Sequence, residues 1–152
     1  MGCECVSKTT TLKPLITMPF LNEKIRVLVA DDHALVRQGL ARLLGAESDI
    51  EVVGEASNGQ AAVDMAAELL PDVILMDMSM PKLNGVESTR AILDNYPEIS
   101  IIGLSMFEEE ERAQAMRNAG AVNYLSKGGP VASLLAAIRH CRVSYVGRGR
   151  QG

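Results

Sequence analysis

The 152-residue sequence lacks a disulfide framework: its three cysteines, Cys3, Cys5 and Cys141, are odd in number and have none of the spacing of a stapled secreted domain. Such sparing use fits a reducing cytosol. Cys3 and Cys5 have no His or further Cys nearby to complete a metal site, and they read as two free thiols in a loose tail. Positive charge is short as well. Fifteen Lys and Arg stand against 19 Asp and Glu, giving a net charge of −4 and a pI of about 5.2. A chain this acidic lacks the basic face that neutralises nucleic-acid phosphates, so direct DNA binding is not expected. The local exception is residues 142–150, where Arg148 and Arg150 lie among glycines and read as a linker. No apolar run approaches the roughly 18 residues of a membrane-spanning helix. The segment Leu15–Leu21 is short, flanked by Pro14 and interrupted by Pro19, and falls short of a signal peptide. Met1-Gly2 could begin an acylation signal, but Val6 stands where Ser or Thr is needed. A soluble, cytoplasmic protein with no membrane contact is expected. No internal repeat, low-complexity stretch, Gly-x-Gly-x-x-Gly or phosphate loop is present, which removes the common nucleotide-binding motifs.

What is there describes one globular unit. The length fits a single domain able to bury a core unaided, and 47% hydrophobic with 22% charged residues is an ordinary globular balance. Residues 1–23 have no clear period and read as an extension outside the fold. From Ile25 a regular alternation begins. Apolar or β-branched strands are expected at Ile25–Ala30, Ile50–Val53, Asp72–Asp77, Ser100–Ser105 and Ala121–Leu125. Between them lie helical patterns: Leu35–Leu44, capped by Asp32 or His33; a helix opened by Asn58-Gly59 and stopped by Pro71; Val86–Leu93; and Glu108–Ala119, ended by Gly120. A last helix carries Val131, Leu134, Leu135 and Ile138. Strands that are apolar throughout are buried on both faces, so five strands alternating with five helices predict a doubly wound parallel α/β sheet.

In such a sheet the functional crevice lies at the carboxyl ends of the strands. Strand one ends at Asp31-Asp32, strand three at Asp77 and strand four at Ser105, and Lys127 follows strand five. Clustered carboxylates raise one another's pKa, and a cation removes that cost. A few carboxylates with room for water and phosphate oxygens suit magnesium better than calcium or zinc. Lys127 adds a point positive charge and Ser105 a hydroxyl. The set suits phosphoryl transfer to a carboxylate, with Asp77, central and single, as nucleophile and Asp31 and Asp32 holding the ion. Taken singly, each residue has a plainer role: a strand-end acid caps or is solvated, Ser105 is a turn residue, Lys127 a surface lysine. Tyr124 by default is a half-buried core aromatic, His33 a capping or packing residue and His140 a surface residue. The joint placement favours the site.

These residues carry a resemblance. The runs Val27-Leu28-Val29-Ala30-Asp31-Asp32-His33, Val73-Ile74-Leu75-Met76-Asp77-Met78-Ser79-Met80-Pro81 with Asn84-Gly85, Gly103-Leu104-Ser105-Met106 and Ala119–Lys127 resemble bacterial two-component response-regulator receiver domains of the NarL/FixJ (LuxR-type) group, over roughly residues 24–141. The resemblance implies a flavodoxin-like, CheY-like sheet of order 2-1-3-4-5. It implies that Asp77 is the phosphoacceptor, Asp32 a direct magnesium ligand, Asp31 a ligand through water and Ser79 a backbone-carbonyl ligand, with manganese able to replace magnesium. Lys127 would pair with the phosphoryl group, Ser105 would move to hydrogen-bond it, and Tyr124 would turn inward behind Ser105. The phosphodonor would be a sensor histidine kinase, and homodimerisation is a family expectation. Two departures stand out: Gly128 and Gly129 follow Lys127 where many receivers have a cis proline, and residues 142–152 read as a linker or tail with no DNA-binding output domain after it. The chain is then an excised or a stand-alone receiver, reaching DNA only through a domain absent from it.

Two other functions compete. An aspartate-nucleophile phosphatase needs Asp-x-Asp, whereas the loop reads Asp77-Met78-Ser79, so the second acid is missing. A phosphate-independent interaction module would not need all five site positions intact.

Overall fold

The computed structural model describes residues 23–106 and 109–151, with side chains to Cys141. Among the described residues ten elements alternate: β1 (Ile25–Ala30), α1 (Ala34–Gly45), β2 (Ile50–Ala56), α2 (Gly59–Leu69), β3 (Val73–Asp77), α3 (Gly85–Asn95), β4 (Ser100–Ser105), α4 (Glu110–Ala119), β5 (Asn123–Ser126) and α5 (Val131–Gln151). The strands form one sheet of order β2-β1-β3-β4-β5. Every pairing is parallel. This is the doubly wound sheet that the unbroken apolar strands require.

Alternate strand residues feed opposite cores. Leu28, Ile74, Met76 and Ile101 meet Ala62 and Ala66 of α2, Ile92 of α3 and Met116 of α4 on one face. Val27, Val29, Val73, Leu75, Ile102 and Leu104 meet Leu44 of α1 and Leu134 and Ile138 of α5 on the other. Three helices thus cover one side and two the other, and β1, β3 and β4 lose both faces to the core.

The helix starts follow local chemistry. Asn58 caps α2, its side chain accepting from the Ala61 N–H. Asn84 and Glu87 form a reciprocal capping box at α3. His33 occupies the N-cap position of α1 but makes no side-chain cap bond, so the expected capping role is not realised.

Several bounds differ from the sequence-based expectation. β2 continues past Val53 to Ala56, because a register shift between Val27 and Leu28 absorbs an extra β2 residue and lets the pairing resume. β5 begins at Asn123 rather than Ala121. Helix α5 runs on to Gln151 through the stretch read as linker or tail. Gly147 and Gly149 weaken a helix by about 1 kcal/mol each without forbidding it, and no proline intervenes. Cys3, Cys5, Leu15–Leu21 and Glu108 lie outside the described residues. Among the described residues no helix is long and apolar enough to cross a membrane.

Leu75 is fully buried at the centre of the sheet, whereas Leu35 is 85% exposed. Leu75→Ala is expected to lower stability by about 2–5 kcal/mol, and Leu35→Ala by no more than about 0.5 kcal/mol. Urea unfolding of the two variants checks the ordering.

Candidate functional site

Parallel strands deliver their carboxyl ends to one edge, and the predicted side chains meet there. β1 leads into Asp31, whose N–H donates to the Ala56 carbonyl at 3.0 Å. Arg37 of α1 fixes the same turn from outside. Its Nη1 donates to the Asp31 carbonyl at 2.9 Å, and its Nε donates to Glu55 Oε1 at 3.2 Å. β3 ends on Asp77 itself. The next residue, Met78, donates its N–H to the Leu104 carbonyl at 3.1 Å and accepts from Gly85 at 2.9 Å. A Cβ on Gly85 would collide with the Asp77 carbonyl oxygen, so only glycine lets the start of α3 pack beneath the Asp77 loop. Lys127 is tied to β4 by its N–H, which donates to the Ser105 carbonyl at 2.8 Å.

Asp31 and Asp77 are 1% and 3% exposed. Lys127 reaches between them, with Nζ 2.7 Å from Asp31 Oδ2 and 3.0 Å from Asp77 Oδ1, and its side chain only 5% exposed. The Ser79 N–H donates to Asp77 Oδ1 at 3.4 Å. Asp77 Oδ2 is buried with no hydrogen-bond partner. One ammonium therefore serves two buried carboxylates, and Asp32, about one-third exposed, adds a third nearby. Ligand atoms of Asp31, Asp32, His33 and Asp77 all lie within 4.8 Å of one another. The donor set and the unpaired Asp77 oxygen fit a small divalent cation.

Burial pushes the Asp77 carboxyl above its ordinary 3.8; the Lys127 hydrogen bond opposes this and the Asp31 charge adds to it. Burial alone would lower Lys127, but its hydrogen bonds to Asp31 and Asp77 outweigh that and hold it above its ordinary 10.5. Lys127 is the charged member and Asp77 the costly one.

Ser105 is buried at the end of β4. Tyr124 of β5 packs against the α2–α4 side of the core, with its hydroxyl buried and lacking a hydrogen-bond partner. Gly103 makes this possible, since a Cβ there would come within 2.8 Å of Tyr124 Cδ1 and 2.9 Å of Met116 Cε. No cis peptide bond occurs among the described residues, in keeping with glycine rather than proline after Lys127.

All the residues singled out from the sequence thus reach one edge or the wall beside it. Sequence reasoning read His33 as a capping or packing residue, named Gly85 and Gly103 only within the runs that carry the resemblance, and left out Arg37. His33 stands directly after the acid pair, but its place before α1 equally suits a cap. Arg37, Gly85 and Gly103 act through contacts with distant segments, and no local pattern gives those contacts away.

Residues 27–139 match the response regulator receiver domain. The chain is 43% identical over 115 residues to the response regulator GacA of Pseudomonas viridiflava, covering 76% of this chain and 54% of that protein. It is 46% identical to the transcriptional regulatory protein LiaR of Bacillus subtilis (strain 168), with the same 76% and 54% coverage. It superposes on the signal receiver domain of NarL from Mycobacterium tuberculosis with a TM-score of 0.74 and 33% identity, over 78% of this chain and 96% of that one. The chain belongs to the response-regulator receiver domain family, and its relatives are regulators of the NarL/FixJ type. It spans about half the length of the curated relatives it matches.

Because the folded chain holds the Asp77 proton to higher pH than the unfolded chain does, this group's contribution to stability falls as pH rises from 3.8 through the raised value. Without divalent ions, Asp77→Asn is expected to be more stable than wild type near neutral pH. The gain should shrink as pH falls from neutral toward 3.8, because the folded wild type takes up the Asp77 proton before the unfolded chain does. Urea midpoints across that range test the sign.

Proposed function

We propose that this receiver accepts a phosphoryl group on Asp77 and changes conformation in response. The observation that supports the reading best is the Lys127 ammonium bridging Asp31 and Asp77 in a water-poor crevice, with Asp77 Oδ2 left without a partner. A carboxylate oxygen of Asp77 attacks the phosphorus of a phosphohistidine on a sensor histidine kinase. The new P–O bond forms as the P–N bond breaks, and the imidazole leaves with the bonding pair. Asp31, Asp32 and Asp77, with the Ser79 backbone carbonyl, would hold magnesium, or manganese in its place. That ion supplies neutralisation of the charge on the transferring group. Lys127 does the same from the other side, already charged and already within hydrogen-bond reach.

The product exchanges a monoanionic carboxylate for a dianionic phosphoryl group with three strong acceptor oxygens. Lys127 and the Ser105 hydroxyl are the donors at hand. Drawing Ser105 toward the group shifts the end of β4, against which Tyr124 packs across Gly103. The face formed by α4, β5 and α5 then reads out the modification. The acting unit is residues 24–141, with 1–23 and 142–152 outside it. The name of the Bacillus subtilis relative, a transcriptional regulatory protein, supports transcription as the output, exerted by a DNA-binding domain and not by these residues. Homodimerisation and a cytoplasmic setting belong to the same proposal, as does modest self-catalysed transfer and dephosphorylation rather than turnover of small substrates.

Intact mass spectrometry after incubation with a small phosphodonor is expected to show one phosphoryl adduct that requires both magnesium and Asp77. Labelling of Asp77→Asn at the wild-type rate would remove Asp77 from its role, and no adduct on folded wild type would favour a phosphate-independent module. Lys127→Ala should still bind magnesium yet lose most of the structural response. Amide chemical shifts of α4 and β5, before and after phosphodonor, read this directly, and an unchanged response counts against Lys127.

A further inference from the structure

We propose that His33 is a ligand of the same crevice and makes it selective for first-row transition-metal dications such as cobalt, nickel or zinc, so that the class of bound cation regulates the site. The inference rests on the metal-binding reading above and adds a residue to it. His33 sits at the N-cap of α1 yet makes no cap bond. Its imidazole turns to the acids instead, with Nδ1 3.3 Å from Asp31 Oδ1 and 3.2 Å from Asp32 Oδ1. These are hydrogen-bond separations, and two ligands at right angles, each about 2.1 Å from a dication, also stand about 3 Å apart, so little movement would let the three groups share one ion. The His33 main chain is pinned in place as well, its N–H donating to Asp31 Oδ1 at 2.8 Å.

Charge and burial point the same way. Asp31, Asp32 and Asp77 bring three negative charges and Lys127 returns one, leaving two for a divalent ion. Asp77, 3% exposed, keeps one buried oxygen without a hydrogen-bond partner. That oxygen, independent of the imidazole contacts, is a buried acceptor left available to a cation.

The imidazole decides which cation. Magnesium prefers oxygen ligands and keeps several of its waters, so it gains little from a nitrogen donor. Cobalt, nickel and zinc gain directly from imidazole, and their affinities for mixed nitrogen and oxygen sites exceed those of the earlier metals. Magnesium would then engage the carboxylates alone, whereas a transition-metal ion would engage the carboxylates and His33 together and compete for the place magnesium must fill.

Isothermal titration of the full chain with cobalt and, separately, magnesium tests this on wild type, His33→Ala and Asp32→Asn. His33 is 65% exposed through its side chain, so the alanine variant should fold, which circular dichroism checks. The expected result is that His33→Ala loses at least about tenfold in cobalt affinity, as removing even an outer-shell partner does, with magnesium affinity unchanged. Asp32→Asn should weaken both. Equal cobalt affinity in wild type and His33→Ala, with both ions still sensitive to Asp32→Asn, overturns the His33 role and leaves the metal site standing. Equal loss of both ions in His33→Ala overturns the selectivity. Wild type that binds neither ion overturns this inference and the metal-binding reading together.

Discussion

Two carboxylates with almost no access to water share a single ammonium group, and much of the sheet edge is arranged to make that tolerable. Asp31 directly follows β1 and Asp77 ends the central strand β3, and the two strands pair directly in parallel, so strand topology alone brings the acids side by side. Buried like charges repel strongly unless something of opposite sign lies between them. Lys127 does so from the far end of the sheet. It can reach because β5 pairs with β4 and its own N–H is locked to Ser105. Held this way, the cluster keeps a net negative charge in a poorly solvated place. It is a state under electrostatic tension that a bound cation would relieve and a phosphoryl group on Asp77 would redistribute.

The supporting parts are small and specific. Arg37 clamps the ends of β1 and β2 through one carbonyl and one carboxylate. Gly85 lets α3 press against the Asp77 loop, and the Asn84–Glu87 box fixes where that helix starts. On the far wall Gly103 gives the Tyr124 ring a place to lie. Each contact sets the position of a site residue or of the wall beside it.

Much of this is legible in the linear sequence, for identifiable reasons. Ile74, Leu75 and Met76 are apolar on both faces of β3, which signals a strand covered on both sides, and acids placed directly after such strands land at one edge. The joint order of Asp31, Asp32, Asp77, Ser105 and Lys127 then narrows the chemistry. What escapes depends on contacts between distant segments. The continuation of β2 beyond Val53 rests on a register shift against Val27 and Leu28. The helical course of residues 142–151 runs against two glycines. His33 looks like a cap because of its place before α1, and only the direction of its ring separates a cap from a member of the acidic cluster. Gly85 and Gly103 look like ordinary glycines until the atoms that would strike a Cβ are known.

Helix α5 has a mechanical side. Arg139 grips Asp49 at 2.7 and 2.8 Å and Glu47 at 2.9 Å, fastening the helix to the corner between α1 and β2. Beyond that rivet the helix continues for twelve residues to Gln151, or about 18 Å at 1.5 Å per residue. It is a lever with its fulcrum on the body of the domain. A tilt of about five degrees at the fulcrum would move the far end by about 1.5 Å over that length, so a displacement too small to disturb the core is magnified along the arm.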